Sequence, residues 1–159
     1  MSKLDPNVYR WFARLRDGAV FERLNHHPIQ ADRVRSGREP EPSAAVIDSQ
    51  SVKTSEAGGP RGYDAGKKVM GRKRHALVDT DGRALLLVPH AASVQDRDAA
   101  GPVLSASRGV HPFISRVYAD AGYADERVRS AASIPVEIVR KAADQVGFTV
   151  HLRRWAELA

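Results

Sequence analysis

Apolar residues recur at helical spacing near the start of the chain. Val8, Trp11, Phe12 and Leu15 line one face, with Arg10, Arg14 and Arg16 off it, so residues 8–24 begin as an amphipathic helix. Asp17-Gly18 is a stop signal, and a second short helix follows from Val20 to Asn25. His26-His27-Pro28 should break it, because the residue before a proline is pushed toward extended backbone. Residues 36–43, SGREPEPS, hold two prolines and no apolar side chain, the composition of a linker. The spacing therefore predicts an N-terminal helical segment over 1–35, a linker over 36–43 and a main domain over 44–159.

Strand patterns dominate after the linker. Ala44 to Ile47 is a short apolar run that ends on the charge of Asp48, and Gly58 to Gly62 reads as a loop. His75 to Asp79 and Ala84 to His90 are two further runs joined by Thr80-Asp81-Gly82, and Asp-Gly between apolar runs signals a hairpin. Residues 96–107 read as a helix with acidic residues in the first turn. Val117 to Ala119 is a fourth strand ending on Asp120, Asp125 to Ala132 a helix, and Val136 to Arg140 a fifth strand; Phe148 to Leu152 forms a sixth segment. Three strands in hairpin order, then helix, strand, helix, strand, is a mixed α/β pattern. Several α/β folds satisfy it, a ribonuclease-H-like sheet among them.

Composition narrows the classes. With 42% hydrophobic and 28% charged residues over 159 positions, the chain can bury a core. No apolar run is long enough to span a membrane, and the N-terminus has no secretory apolar region. The absence of cysteine excludes disulfides, thiolate metal sites and cysteine nucleophiles, and agrees with a cytoplasmic location. The net charge of +6 suggests a polyanionic partner, and its densest source is residues 45–75, with seven Lys/Arg against three Asp/Glu.

Two constellations carry candidate chemistry. Asp48 and Asp120 each end an apolar strand, and neighbouring strands would bring the two carboxylates together. Such a pair repels itself, and a hard divalent cation relieves the repulsion; two such ions can cleave a phosphodiester. The competing role is a strand-end Asp that caps a turn. The second constellation is Arg61 to His75, RGYDAGKKVMGRKRH, with six Lys/Arg, one Asp and three glycines. Arg61, Lys67, Lys68, Arg72, Lys73 and Arg74 are its candidate phosphate contacts, against a solvated basic loop as the alternative. Its glycines match no nucleotide-binding loop, so no nucleotide cofactor is expected. His90, Asp96 and Asp98 read as a strand end and a helix N-terminus, with Asp96 as a cap. No nucleophile elbow occurs. An RNA-binding module would need exposed aromatics on a sheet face, and most of the ten Phe, Trp and Tyr lie near the N-terminus or in apolar strands.

The run PEPSAAVIDSQSVKTSEAGGPRGYDAGKKVMGRKRHALVDTDG, with HAASVQDRD and RVYADAGYAD, resembles the catalytic core of bacterial insertion-sequence transposases of the DDE type, the insertion-sequence-five group. The similarity spans roughly residues 39–155, with a weaker one at YRWFARLRDGAVFERL. It implies a ribonuclease-H-like fold and Mg²⁺-dependent DNA strand cleavage and strand transfer, with Mn²⁺ as a substitute. The implied partner is double-stranded DNA carrying terminal inverted repeats, acted on by two copies of the chain. Asp48 matches the family's first catalytic aspartate and Asp120 its second. The third member is a glutamate on a helix three residues after a tryptophan. Arg153-Arg154-Trp155 matches the start of that motif, but Glu157 stands two residues after the tryptophan. One residue on a helix is a rotation of 100°, so Glu157 is a displaced candidate. The resemblance also implies that family segments are missing at both ends, and hence an alternative: an inactive remnant that retains DNA binding.

Overall fold

The computed structural model describes residues 5–54, 59–131 and 134–140. Two compact units divide at Glu41 and Pro42, inside the linker-like stretch. The first carries α1 (Pro6–Asp17) and α2 (Val20–Arg35). The Asp5 side chain caps α1 by accepting from Asn7 N at 2.7 Å, with Pro6 in the first turn, where a missing N–H costs nothing. No residue of α1 is buried, and Trp11 is 60% exposed. The expected break at His26-His27-Pro28 does not occur: α2 runs through Pro28. Proline removes one helical hydrogen bond. The turns beyond it are held from the side, where Arg33 Nε donates to Glu39 O at 2.9 Å and Gln30 Nε2 donates to Glu41 Oε1 at 2.6 Å.

The second unit is a six-stranded sheet. Its strands are β1 (Ala44–Lys53), β2 (Gly62–Asp64), β3 (Val69–Asp79), β4 (Ala84–Ala91), β5 (Arg116–Ala119) and β6 (Val136–Ile138). Three expectations are corrected here. β1 is ten residues long, so Asp48 stands mid-strand rather than at its end. β3 begins at Val69 rather than His75, and β2 occupies part of the expected loop. The strands continue because β1 and β3 pair antiparallel from Ala45↔Asp79 to Lys53↔Gly71, and ladder bonds carry extended backbone through polar positions that lack an apolar signature. Gly71 is required in that ladder, since a methyl there would overlap Val52 O. The turn after Asp79 is built as expected: Asp79 Oδ1 accepts from Asp81 N at 3.0 Å and Arg83 N at 2.9 Å, and Gly82 takes the left-handed φ of 89°.

β4 and β2 lie end to end along the outer edge of β3, β1 pairs its other edge, and β5 and β6 add in parallel beyond β1. An antiparallel meander extended by parallel strands is the ribonuclease-H-like sheet. The connecting helices are α3 (Asp96–Val110) and α4 (Glu126–Ala131). Helix α3 packs across β1, β3 and β4. Its buried Ala100, Val103 and Leu104, with Ile47, Leu77, Val117 and Val128 from the sheet and α4, form the main core. The opposite face holds a smaller cluster of Val46 and Tyr118, bordered by Val78 and Val139. Residues 148–152 and Glu157 lie outside the described residues.

Candidate functional site

Asp48 and Asp120 are placed by strand register. β1 and β5 pair in parallel with Ala45↔Val117 and Val46↔Tyr118. Two residues further along each chain stand Asp48 and Asp120, and Asp120 keeps extended backbone (φ −80°, ψ −179°). Side chains two apart share a face, so Asp48 follows Val46 on its face of β1, Asp120 stands just past the end of β5, and the charge of Asp120 bears on Asp48. Both are half-buried. Burial pushes the Asp48 carboxyl above its ordinary range; the Ser49 N–H and Lys67 oppose this, and the charges of Asp120 and Asp96 add to it. Asp120 also caps: its Oδ1 accepts from Gly122 N at 2.8 Å, starting the single 3₁₀ turn Ala121–Tyr123.

The alternation of β3 splits the basic run. Arg72 and Arg74 pair opposite Val52 and Gln50, so they share the face of Asp48. Arg74 is exposed and its guanidinium meets Gln50; Arg72 Nε donates to Pro60 O at 3.3 Å. Lys73 and His75 point to the α3 side. The Lys73 side chain is 5% exposed, and its ammonium donates to Asp96 Oδ1 at 2.8 Å and Val94 O at 3.0 Å and sits 3.3 Å from Asp64 Oδ2. Burial opposes that charge, but Asp96 and Asp64 outweigh it and hold the lysine above its ordinary range. The phosphate role expected of Lys73 is therefore corrected, because its donors are directed into the protein. Lys67 and Lys68 stand in the turn between β2 and β3. Lys67 Nζ donates to Ser49 O at 2.6 Å, and Lys68 has the left-handed φ of 54°. Arg61 precedes β2 and is exposed.

Behind the aspartate pair lies a polar interior that sequence reasoning missed. Asp64 accepts from Ser51 Oγ at 2.6 Å and from Lys67 N at 3.0 Å, and these bonds, with Lys73, hold its carboxyl far below the ordinary range. Asp96 is not the cap of α3: the cap position is Gln95, without a side-chain bond, and the Asp96 carboxylate turns inward to Lys73. His75 is fully buried, stacked on His90 with Nδ1 2.6 Å from His90 Nε2. Burial, reinforced by His90, lowers its pKa to about 4. Tyr123 packs edge-on against His75 and is 1% exposed; burial, then the charge of Asp96, pushes its phenol well up. Ser49 lies against its hydroxyl, yet no described partner meets hydrogen-bond geometry. An open cleft of about 310 Å³, bordered by Asp64, Lys73, Gln95, Asp96, Arg97 and Gly122, leads to this interior. The alternation of Lys73 and His75 with Arg72 and Arg74 was the available signal, once the buried face is known.

The residues present fit a hard divalent cation. The donors are carboxylate oxygens, and their mutual repulsion at half-buried positions is what such an ion would relieve. Among the described residues no group of three or more His, Asp or Glu side chains is placed to hold a metal ion. Two protein carboxylates, with waters and substrate phosphates completing the shell, is a usual arrangement for Mg²⁺. Among the described residues no helix is long and apolar enough to cross a membrane.

Comparison with protein families returns one described as the transposase DDE domain, matched over residues 39–146, about two thirds of the chain. No curated protein and no solved structure matches the chain.

Proposed function

The chain belongs to the transposase DDE domain family, and from that membership we propose that it cuts and joins DNA at the ends of a bacterial insertion sequence. The supporting observation is the parallel register Val46↔Tyr118, which sets Asp48 beside Asp120 where β5 ends and β1 continues. A divalent cation bound there, Mg²⁺ or Mn²⁺, would supply Lewis acidity toward the scissile phosphate. Asp48 and Asp120 would hold it, and the family pattern assigns a third carboxylate to the neighbourhood of Glu157. Lys67, anchored on Ser49 O, keeps a positive charge near Asp48. Arg72 and Arg74 stand on the same face as Asp48, where they would bind the phosphates of a duplex running across β3 and β1, with Lys68 and Arg61 at the turn end. Inverted repeats are the proposed substrate, with two copies acting on paired ends.

The test is nicking of a duplex carrying the element's ends, in Mg²⁺ and in Mn²⁺, by the full chain and by Asp48→Asn and Asp120→Asn. The proposal expects metal-dependent nicking that either substitution abolishes while duplex binding persists. A second reading, the inactive remnant, draws on the one-residue offset of Glu157. Salt-sensitive duplex binding without nicking in either metal would support that reading and overturn the first.

A further inference from the structure

Asp96 stands on the α3 side with Lys73, outside the pair formed by Asp48 and Asp120, yet it comes close to Asp120 across Gly122 and its charge bears on Asp48. A methyl built on Gly122 would meet Asp120 Oδ1 at 3.0 Å and Asp96 Oδ2 at 3.8 Å, so the two oxygens flank the same side of Gly122. The other Asp96 oxygen is fixed, because Lys73 Nζ donates to Oδ1 at 2.8 Å. Lys73 is itself anchored by Val94 O and Asp64, and Asp64 by Ser51 and the Lys67 backbone. A carboxylate held at one oxygen by a buried, triply engaged ammonium has little freedom to turn. The ion pair with Lys73 fixes Oδ1, the Ser49 hydroxyl lies beside the same carboxylate, and Oδ2 remains close to Gly122 and the Asp120 carboxylate.

Two further polar groups lie close to the Asp96 carboxylate. Tyr123 is 1% exposed, and its Oη, with the Ser49 hydroxyl beside it, meets hydrogen-bond geometry with no described residue. His75 Nε2 is fully buried, likewise without such a partner, and 3.6 Å from Asp96 Oδ1. The Tyr123 phenol senses the charges of Asp96, Asp48 and Asp120 together. Buried polar atoms are nearly always paired, so unpaired ones beside a polar cleft mark a place that something outside the chain completes. Asp48, Asp96 and Asp120 do not form a group placed to hold a metal ion directly. Asp96 Oδ2, across Gly122 from Asp120 Oδ1, is placed to reach a cation through a bound water.

We propose that Asp96 is a positioning residue of the Asp48–Asp120 site: Oδ2 accepts a hydrogen bond from a water on the divalent cation, and Lys73 fixes its direction. This rests on the reading that Asp48 and Asp120 bind a divalent cation. Partners in that outer layer orient a metal's shell, and removing one typically costs about 10–100-fold in affinity.

The test is Mn²⁺ binding to the full chain, read by electron paramagnetic resonance of free Mn²⁺, with thermal unfolding of each variant as a check on folding. Wild type is expected to bind, and Asp48→Asn to lose binding. Asp96→Asn should weaken it about 10–100-fold, and Asp98→Asn, an exposed carboxylate on the same helix paired with Arg127, should leave it unchanged. Asp96→Glu keeps the charge but moves it by one methylene, so its affinity should lie between wild type and Asp96→Asn. Wild-type affinity in Asp96→Asn overturns the proposal. If that variant does not fold, Asp96→Glu decides: weakened binding supports the proposal and unchanged binding overturns it. Absence of Mn²⁺ binding by wild type overturns the underlying metal reading instead, which separates the two failures.

Discussion

Lys73 and Arg74 are neighbours in the chain and stand on opposite faces of β3. The Lys73 ammonium lies 2.8 Å from Asp96 Oδ1 on the α3 side, whereas Arg74 meets Gln50 on the exposed side with Asp48. Two residues of equal charge thus have different physical consequences when removed. Arg72→Ala and Arg74→Ala should each weaken duplex binding similarly across sequences and lower the slope of log affinity against log salt by about 1. Lys73→Met should leave that slope unchanged but strand the buried Asp64 and the half-buried Asp96, at a cost of about 3–5 kcal/mol. Fluorescence anisotropy across a salt series and urea denaturation of the same variants separate the two classes.

Asp48 is held in the fold against burial and against Asp120 and Asp96. A raised carboxyl means the folded state takes up a proton before the unfolded one does, so the charged form works against folding at neutral pH and protonation relieves it. Asp48→Asn should therefore be at least as stable as wild type without metal. Mg²⁺ at 100 times its dissociation constant should stabilise wild type by about 2.7 kcal/mol, a rise of roughly 5–10 °C in Tm for a chain of this size. Asp48→Asn should show no rise. Calorimetric scans with and without Mg²⁺ measure both effects, and an equal rise in the variant would place the cation elsewhere.

His75 sets an acid limit on stability. Its folded pKa is lowered to about 4 by burial, whereas the unfolded side chain takes a proton near 6.5. Between those values the unfolded state binds more protons, so stability should fall as pH drops from about 6.5 to 4, by on the order of 3 kcal/mol. Below about 4 this contribution levels off. Asp64, whose carboxyl is depressed, adds a separate loss at lower pH, below the ordinary carboxylate range. His75→Gln should flatten the upper window and leave the lower one. Denaturation midpoints from about pH 1.5 to pH 8 would show both.

Gly71 is the tightest point of the β1–β3 ladder. A methyl there meets backbone at Val52 O, which cannot rotate away as a side chain could. Gly71→Ala should cost about 1–3 kcal/mol or more and increase hydrogen exchange at the paired amides of Val52, Lys53 and Gly71. Gly37→Asn, at a positive φ of 71° with open space around it, should be nearly neutral. Comparing the two variants distinguishes packing from backbone conformation.

Much of this fold is legible in the chain because local signals suffice for it. The apolar runs at Ala44–Ile47, His75–Asp79, Ala84–His90 and Val117–Ala119 locate four strands, and Asp81-Gly82 marks a hairpin that its own backbone geometry requires. The two strand-borne aspartates are legible too, and the strings around them resemble the family to which the chain belongs. What only the tertiary structure decided is non-local. Pairing with β3 carries β1 past Asp48, and lateral bonds from Arg33 and Gln30 carry α2 through Pro28. Above all, α3 chooses which face of the sheet is buried, and with a period of two that choice divides GRKRH into a half-buried Arg72 and an exposed Arg74 on one face and an interior Lys73 and His75 on the other. A strand pattern fixes which residues share a face; only the element packed on it determines which face meets solvent. That is why Asp96 read as a helix cap and stands instead on Lys73, beside the aspartates.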